Sequence, residues 1–157
     1  MAEYRFCDTD ITGFAEYDIT GSEYEALIDK CFAYCTSFSF YVRSTEVVVP
    51  GELEPYRLPL TPSIKAYYQH YGDGGQIHHY RLSQYNRGSI HSVADSIFKW
   101  IDGWGYHNPE DPVFYRSDGS IFLASCIHEG CISLFPRAGE EVSDIITNPP
   151  WLRIANT

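Results

Sequence analysis

The stretch from Val113 to Pro136 constrains this chain more than any other. It reads "VFYR", the turn "SDGS", "IFLASCI", the turn "HEG" and "CISLFP". Short apolar runs separated by tight-turn residues are the pattern of a β-meander. Asp118-Gly119 marks the first turn, because glycine supplies the positive φ that a hairpin turn or its bulge needs. Glu129-Gly130 marks the second. Taken as a two-residue turn, it predicts His128 opposite Cys131 and Cys126 opposite Ser133, with Cys126, His128 and Cys131 on one face.

Upstream, the periodicity alternates between helix and strand. Ser22 with Glu25 has the spacing of a capping box, and Tyr24, Leu27, Ile28, Cys31, Phe32 and Cys35 recur at helical spacing, which predicts a helix over 23–35. Phe38 and Phe40 then alternate with Ser37, Ser39 and Tyr41 as in a strand. Pro50, Pro55, Pro59 and Pro62 exclude a central strand or a helix interior, so 50–62 is expected to be an extended loop. A short helical turn is expected from Pro62, and "QIHHYRLS" then alternates as a strand.

Ile90, Val93, Ala94, Ile97, Phe98 and Ile101 form an apolar stripe between a capping Ser89 and Gly103, which predicts a second helix over 90–102. "GWGYHNPEDP" is a turn-rich loop, "GEEVSDIIT" a last helical stretch, and "WLRI" an edge strand. The expected fold is α+β: a mainly antiparallel sheet with a C-terminal β-meander and two to three helices packed on one face. The 157 residues, 44% of them apolar, are expected to form one globular domain, 1–157.

Charge narrows the partners. A formal net charge of −10 repels nucleic acid and anionic lipid and attracts basic proteins. Residues 1–30 hold eight acids, Glu3, Asp8, Asp10, Glu16, Asp18, Glu23, Glu25 and Asp29, against Arg5 and Lys30. There is no run of about 18 apolar residues and no leader-like N-terminus, so no membrane association and a cytoplasmic location are expected. Five cysteines without a C-x-x-C pair read as free thiols.

"SCIHEGC" concentrates Cys126, His128, Glu129 and Cys131, but a structural zinc site needs four ligands and no second knuckle is present. A nucleophilic cysteine would need an orienting third group, and the sequence names none. Neither a metal nor a cofactor is therefore expected, and no catalytic residue is assigned. Cys31 and Cys35, one helical turn apart, read as core. The stretch 65–87 holds Tyr67, Tyr68, Tyr71, Tyr80, Tyr85, His70, His78 and His79 around "GDGG", which lacks the Lys-Ser/Thr ending of a phosphate loop. Alternation puts His78 and His79 on opposite faces of a strand.

No nucleophile elbow, nucleotide fingerprint or paired metal-ligand motif occurs, which weighs toward a binding protein over an enzyme. In size, charge and aromatic composition the chain resembles bacterial immunity proteins, which bind and silence a cognate toxin such as a nuclease. The resemblance is to a class and transfers no residues. It implies an acidic protein-binding domain, an inhibitor that neutralises a cognate basic toxin or enzyme through steering charge and aromatic anchors. Its expected contacts are Asp8, Asp10, Glu16, Asp18 and Glu23 from the acidic segment, with Trp104, Tyr106, Glu110 and Asp111 from the turn-rich loop. The alternative is a small enzyme or ligand-binding domain using 65–91. That would require His70, His78 or His79, and His91 to converge with a carboxylate on one cavity; His107 and His128 complete the six histidines.

Overall fold

The computed structural model describes residues 2–7, 17–64, 74–100, 107–147 and 151–155. Among them, eight strands join in one antiparallel sheet: β1 (Glu3–Cys7), β2 (Ser37–Val42), β3 (Arg57–Leu58), β4 (Gln76–Arg81), β5 (Glu110–Tyr115), β6 (Ile121–Cys126), β7 (Cys131–Leu134) and β8 (Leu152–Ile154). The spatial order is β3-β4-β2-β5-β6-β7-β1-β8. The meander β5-β6-β7 is the middle of this sheet, and the N-terminal β1 closes against β7. Both flanking edges are short, with β8 at one end and β3, stopped by Pro59, at the other. Short edges of this kind limit pairing with other chains.

Three α-helices are described: α1 (Gly21–Tyr34), α2 (Arg87–Val93) and α3 (Ser143–Ile146). The apolar stripe of α1, Tyr24, Leu27, Ile28 and Cys31, recurs at i, i+3, i+4 and i+7 and is buried. It shares one core with Phe38, Phe40, Tyr80, Phe114, Leu123 and Leu134 of the sheet and with Ile90 and Ile145 of the other two helices. The helices thus cover one side, and the fold is α+β as the alternation of periods implied. At its centre the Phe38 ring lies 5.5 Å from Tyr80 and 5.8 Å from Phe114. A smaller apolar group, Ile64, Val113, Tyr115 and Ala124, lies on the opposite side, consistent with the pairing of Ser39 with Val113 next to Phe38 with Phe114.

Four local expectations are corrected. The helix over 90–102 is instead α2 at Arg87–Val93, an extended Ala94 and a 3₁₀ turn at Ile97–Trp100. Residues 18–20 compete for its backbone: Thr20 bridges Ser96, Ile97 N–H donates to Ile19 O, and Phe98 N–H donates to Asp18 Oδ1. Tyr24 O–H also donates to Ala94 O, and Trp100 Nε1–H donates to Tyr24 Oη, so a buried polar chain holds the break. Helix α1 starts at Gly21 with Thr20 as its N-terminal flank, and Ser22 Oγ turns to Glu23 instead of capping.

The proline-rich segment is not simply extended: Gly51–Tyr56 forms a 3₁₀ helix with Pro55 inside, and Arg57–Leu58 pairs at the sheet edge. Finally, the second meander turn spans 127–130, with a 3₁₀ turn at Ile127–Glu129. Cys126 therefore opposes Cys131 and Ala124 opposes Ser133, a register two residues from the expected one. An even slip preserves parity, so Cys126 and Cys131 still share a face. The helical turn expected from Pro62 is described only as far as Ile64, and the helix end at Gly103 lies outside the described residues.

Candidate functional site

Of the residues expected to contact a partner, Asp8, Asp10, Glu16, Trp104 and Tyr106 lie outside the described residues. Asp18 is exposed and Glu23 half-buried, both flanking or opening α1. Glu110 and Asp111 require correction. They were expected on an exposed loop, but β5 begins at Glu110 and both are buried, at 0% and 6% exposure. Burying a carboxylate demands compensating partners. For Glu110 these come from Arg43, whose Nε and Nη2 donate to Oε1 at 2.7 Å and Oε2 at 3.0 Å.

The exposed acids of α1 form a seam with α2. Glu25 and Asp29, one turn apart, both reach Arg87, whose Nη2 lies 3.0 Å from Glu25 Oε2 and whose Nη1 lies 2.5 Å from Asp29 Oδ1. His91 Nδ1 stands 3.4 Å from Glu25 Oε1. Two residues before Arg87, Tyr85 is 80% exposed, the most exposed large apolar side chain described. Lys30 is engaged with Asp144 of α3 at 3.0 Å. The outward side of α1 is consequently acidic, with a bare aromatic ring near one end of its seam with α2.

The described histidines do not converge. His79 lines an open cleft of about 430 Å³ with Ser37, Arg81, Arg116 and Asp118. His78, on the other face of β4, lines a separate cleft of about 410 Å³ with Arg43 and Val47. His91 sits on α2, His107 is exposed, and His70 lies outside the described residues. Burial pushes both His78 and His79 below the ordinary histidine range, with Arg57 adding to the effect at each. They are neutral side chains on opposite sides of a strand, as alternation predicted.

A second constellation lies at the far end of the meander. Asp111, Cys126 and His128 each offer one ligand atom, and these atoms lie within 4.8 Å of one another. Cys126 Sγ is 3.7 Å from His128 Nδ1 and 3.8 Å from Nε2. Asp111 is the one described non-glycine residue with positive φ, at 52°, directly before Pro112. Its Oδ1 accepts the Ile127 N–H at 2.7 Å and so ties the start of β5 to the 127–130 connection. Ser125 Oγ donates to Pro112 O at 2.7 Å and fixes the same corner.

Burial, and after it the Asp111 carboxylate, push the Cys126 thiol up to about 12. A thiol held protonated in this way is a poor nucleophile, so the Cys–His pair is not poised for covalent catalysis. Asp111 is the member of this group that sequence reasoning missed. Fifteen residues separate it from Cys126, and only the β5-β6 pairing brings them together. The available signal was the doubled acid before Pro112 at a strand start.

Among the described residues no helix is long and apolar enough to cross a membrane. No family model, no curated protein and no solved structure matches the chain, so its function must be argued from its own residues.

Proposed function

We propose that the protein binds and neutralises a basic protein partner, in the manner of an immunity-type inhibitor of a cognate toxin or enzyme. Support comes from α1 and its N-terminal flank, where Asp18 precedes the helix, Glu23 lies in its first turn, Glu25 and Asp29 line the seam with α2, and Tyr85 stands exposed near that seam. With a net charge of −10 behind them, these acids raise the encounter rate with a cationic surface. An exposed tyrosine supplies buried area and a hydroxyl at small entropic cost once the surfaces meet. Glu110 and Asp111 drop out of the contact set because they are buried. Asp8, Asp10, Glu16, Trp104 and Tyr106 remain candidates from the sequence.

The test is co-purification of the tagged chain from its native host, identification of the partner, and association kinetics over a salt series. A basic partner is expected, with an on-rate falling on the order of 10-fold or more from low to high salt and an off-rate nearly constant. Reversing Glu25 and Asp29 to lysine should flatten the salt dependence. A partner that is not basic, or an on-rate indifferent to salt, would sink the proposal.

A further inference from the structure

We propose that Asp111, Cys126, His128 and Cys131 form a binding site for a zinc-class divalent metal ion at the end of the meander. Three of these ligand atoms are already gathered within 4.8 Å. A tetrahedral zinc with bonds of about 2.3 Å to sulfur and about 2.0–2.2 Å to nitrogen or oxygen places neighbouring ligand atoms roughly 3.5 Å apart. The 3.7 Å separation of Cys126 Sγ and His128 Nδ1 is close to one edge of such a tetrahedron, and because Nε2 stands at 3.8 Å from the same sulfur, the exposed His128 ring must turn to aim one nitrogen at the ion.

The fourth ligand comes from the sheet register. Cys131 is the direct cross-strand partner of Cys126. Directly opposed residues point to one face, with Cβ atoms about 4.5–5.5 Å apart. Cys131 stands outside the three-atom group, so its thiol has to turn about χ1 toward the ion as the metal binds. Cys7 opposes Cys131 from the other side but stands two strands from Cys126, roughly 10 Å away, and is left outside.

The donor set selects the metal. Two thiolates with an imidazole and a single carboxylate suit zinc or cobalt(II) and disfavour magnesium and calcium, which take oxygen ligands. On binding, the metal displaces the two thiol protons, which leave to solvent. The scaffold is held in advance: the Asp111 carboxyl is fixed by the Ile127 N–H, and Cys126 ends a strand buried in the sheet centre. His128 alone is exposed, on the turn, where it can close over an ion arriving from solvent. The ion would clasp β5, β6 and β7 at one point, outside the acidic seam of α1 and without using it.

The reduced, metal-free full chain is titrated with zinc against a chromophoric chelator, and with cobalt(II) followed by thiolate-to-cobalt charge-transfer absorption. One ion per chain and a tetrahedral cobalt spectrum are expected. Cys126→Ser and His128→Gln should each weaken zinc binding beyond the roughly 10–100-fold that even outer hydrogen-bond partners contribute. Cys131→Ser should halve the charge-transfer intensity. Cys31→Ala, on α1, should change nothing. His128→Gln alters an exposed side chain, so its loss of binding with an unchanged circular dichroism spectrum separates a ligand effect from misfolding. No uptake, uptake indifferent to Cys126→Ser and His128→Gln, or a Cys131→Ser spectrum of full intensity would overturn the four-ligand site. So would a Cys126–Cys131 disulfide that persists under reductant.

Discussion

The two connections of the meander, at 116–120 and 127–130, look alike in sequence and differ in what surrounds them. Each ends on a glycine-bearing turn, with φ of 80° at Gly119 and 65° at Gly130. Around the first, the chain supplies a counter-charge for each charge. Arg116 Nε and Nη2 donate to Glu140 Oε1 at 2.7 Å and Oε2 at 2.6 Å, and Arg116 also donates to Ile121 O and Phe135 O. Asp118 accepts from Ser120 Oγ–H at 2.6 Å and from Arg137 at 2.8 Å. Around the second, the chain gathers a carboxylate, a thiol and an imidazole, all electron-pair donors, with a second thiol opposite. Turn chemistry sets the shape of both ends. The charge and softness of the neighbours set what each end can hold: the first is closed by the chain itself, and the second is suited to a cation from outside.

The largest effect should come from opening the closed end. Arg116 is buried, so Arg116→Ala strands the Glu140 carboxylate and two backbone carbonyls and should cost about 3–5 kcal/mol in urea unfolding. A loss below about 1 kcal/mol, the value of an exposed pair, would show that this end is not closed by charge at all.

The second end should respond less when no metal is present. Asp111→Ala removes the acceptor of a buried N–H and puts a residue with a Cβ but no side-chain hydrogen bond into positive φ, for about 2 kcal/mol in chelator-treated protein. Asp111→Asn keeps both the acceptor and the tolerance of that conformation and should lose less than half as much. Equal losses for the two variants would mean that the carboxyl does not hold the turn.

The smallest effect is a pH slope. The Arg116 guanidinium holds the Glu140 carboxyl below its ordinary range. A depressed folded-state value contributes stability above the unfolded value of about 4.3, and that stability is lost as pH falls through the folded value. Urea midpoints measured from pH 6 down to pH 3 should therefore fall for the native chain, and more shallowly for Glu140→Gln, the two curves converging in acid. Parallel curves would remove Glu140 from the account.

Legibility followed the range of the interaction. The meander and α1 could be read because their patterns are local: alternate residues in β6, and a stripe at i, i+3, i+4 and i+7 in α1. The stripe over 90–101 had the same quality and still misled, because Thr20, Ile19 and Asp18 take the backbone of residues 96–98 from 70 or more positions away. The acidic character of residues 1–30 was plain from composition, whereas the burial of Glu110 was not, since it depends on Arg43 lying across from it.

By itself the sequence determined the class of fold, the faces of α1 and of the meander strands, and the sharing of one face by Cys126 and Cys131, which survives a two-residue slip because parity does. Only the tertiary structure decided the break at Ala94, the length of the 127–130 turn, and the arrival of Asp111 beside Cys126. Periodicity is a property of neighbours along the chain. Competition for a backbone N–H, and the meeting of a carboxylate with a thiol, are settled by distances that exist only after the strands have paired.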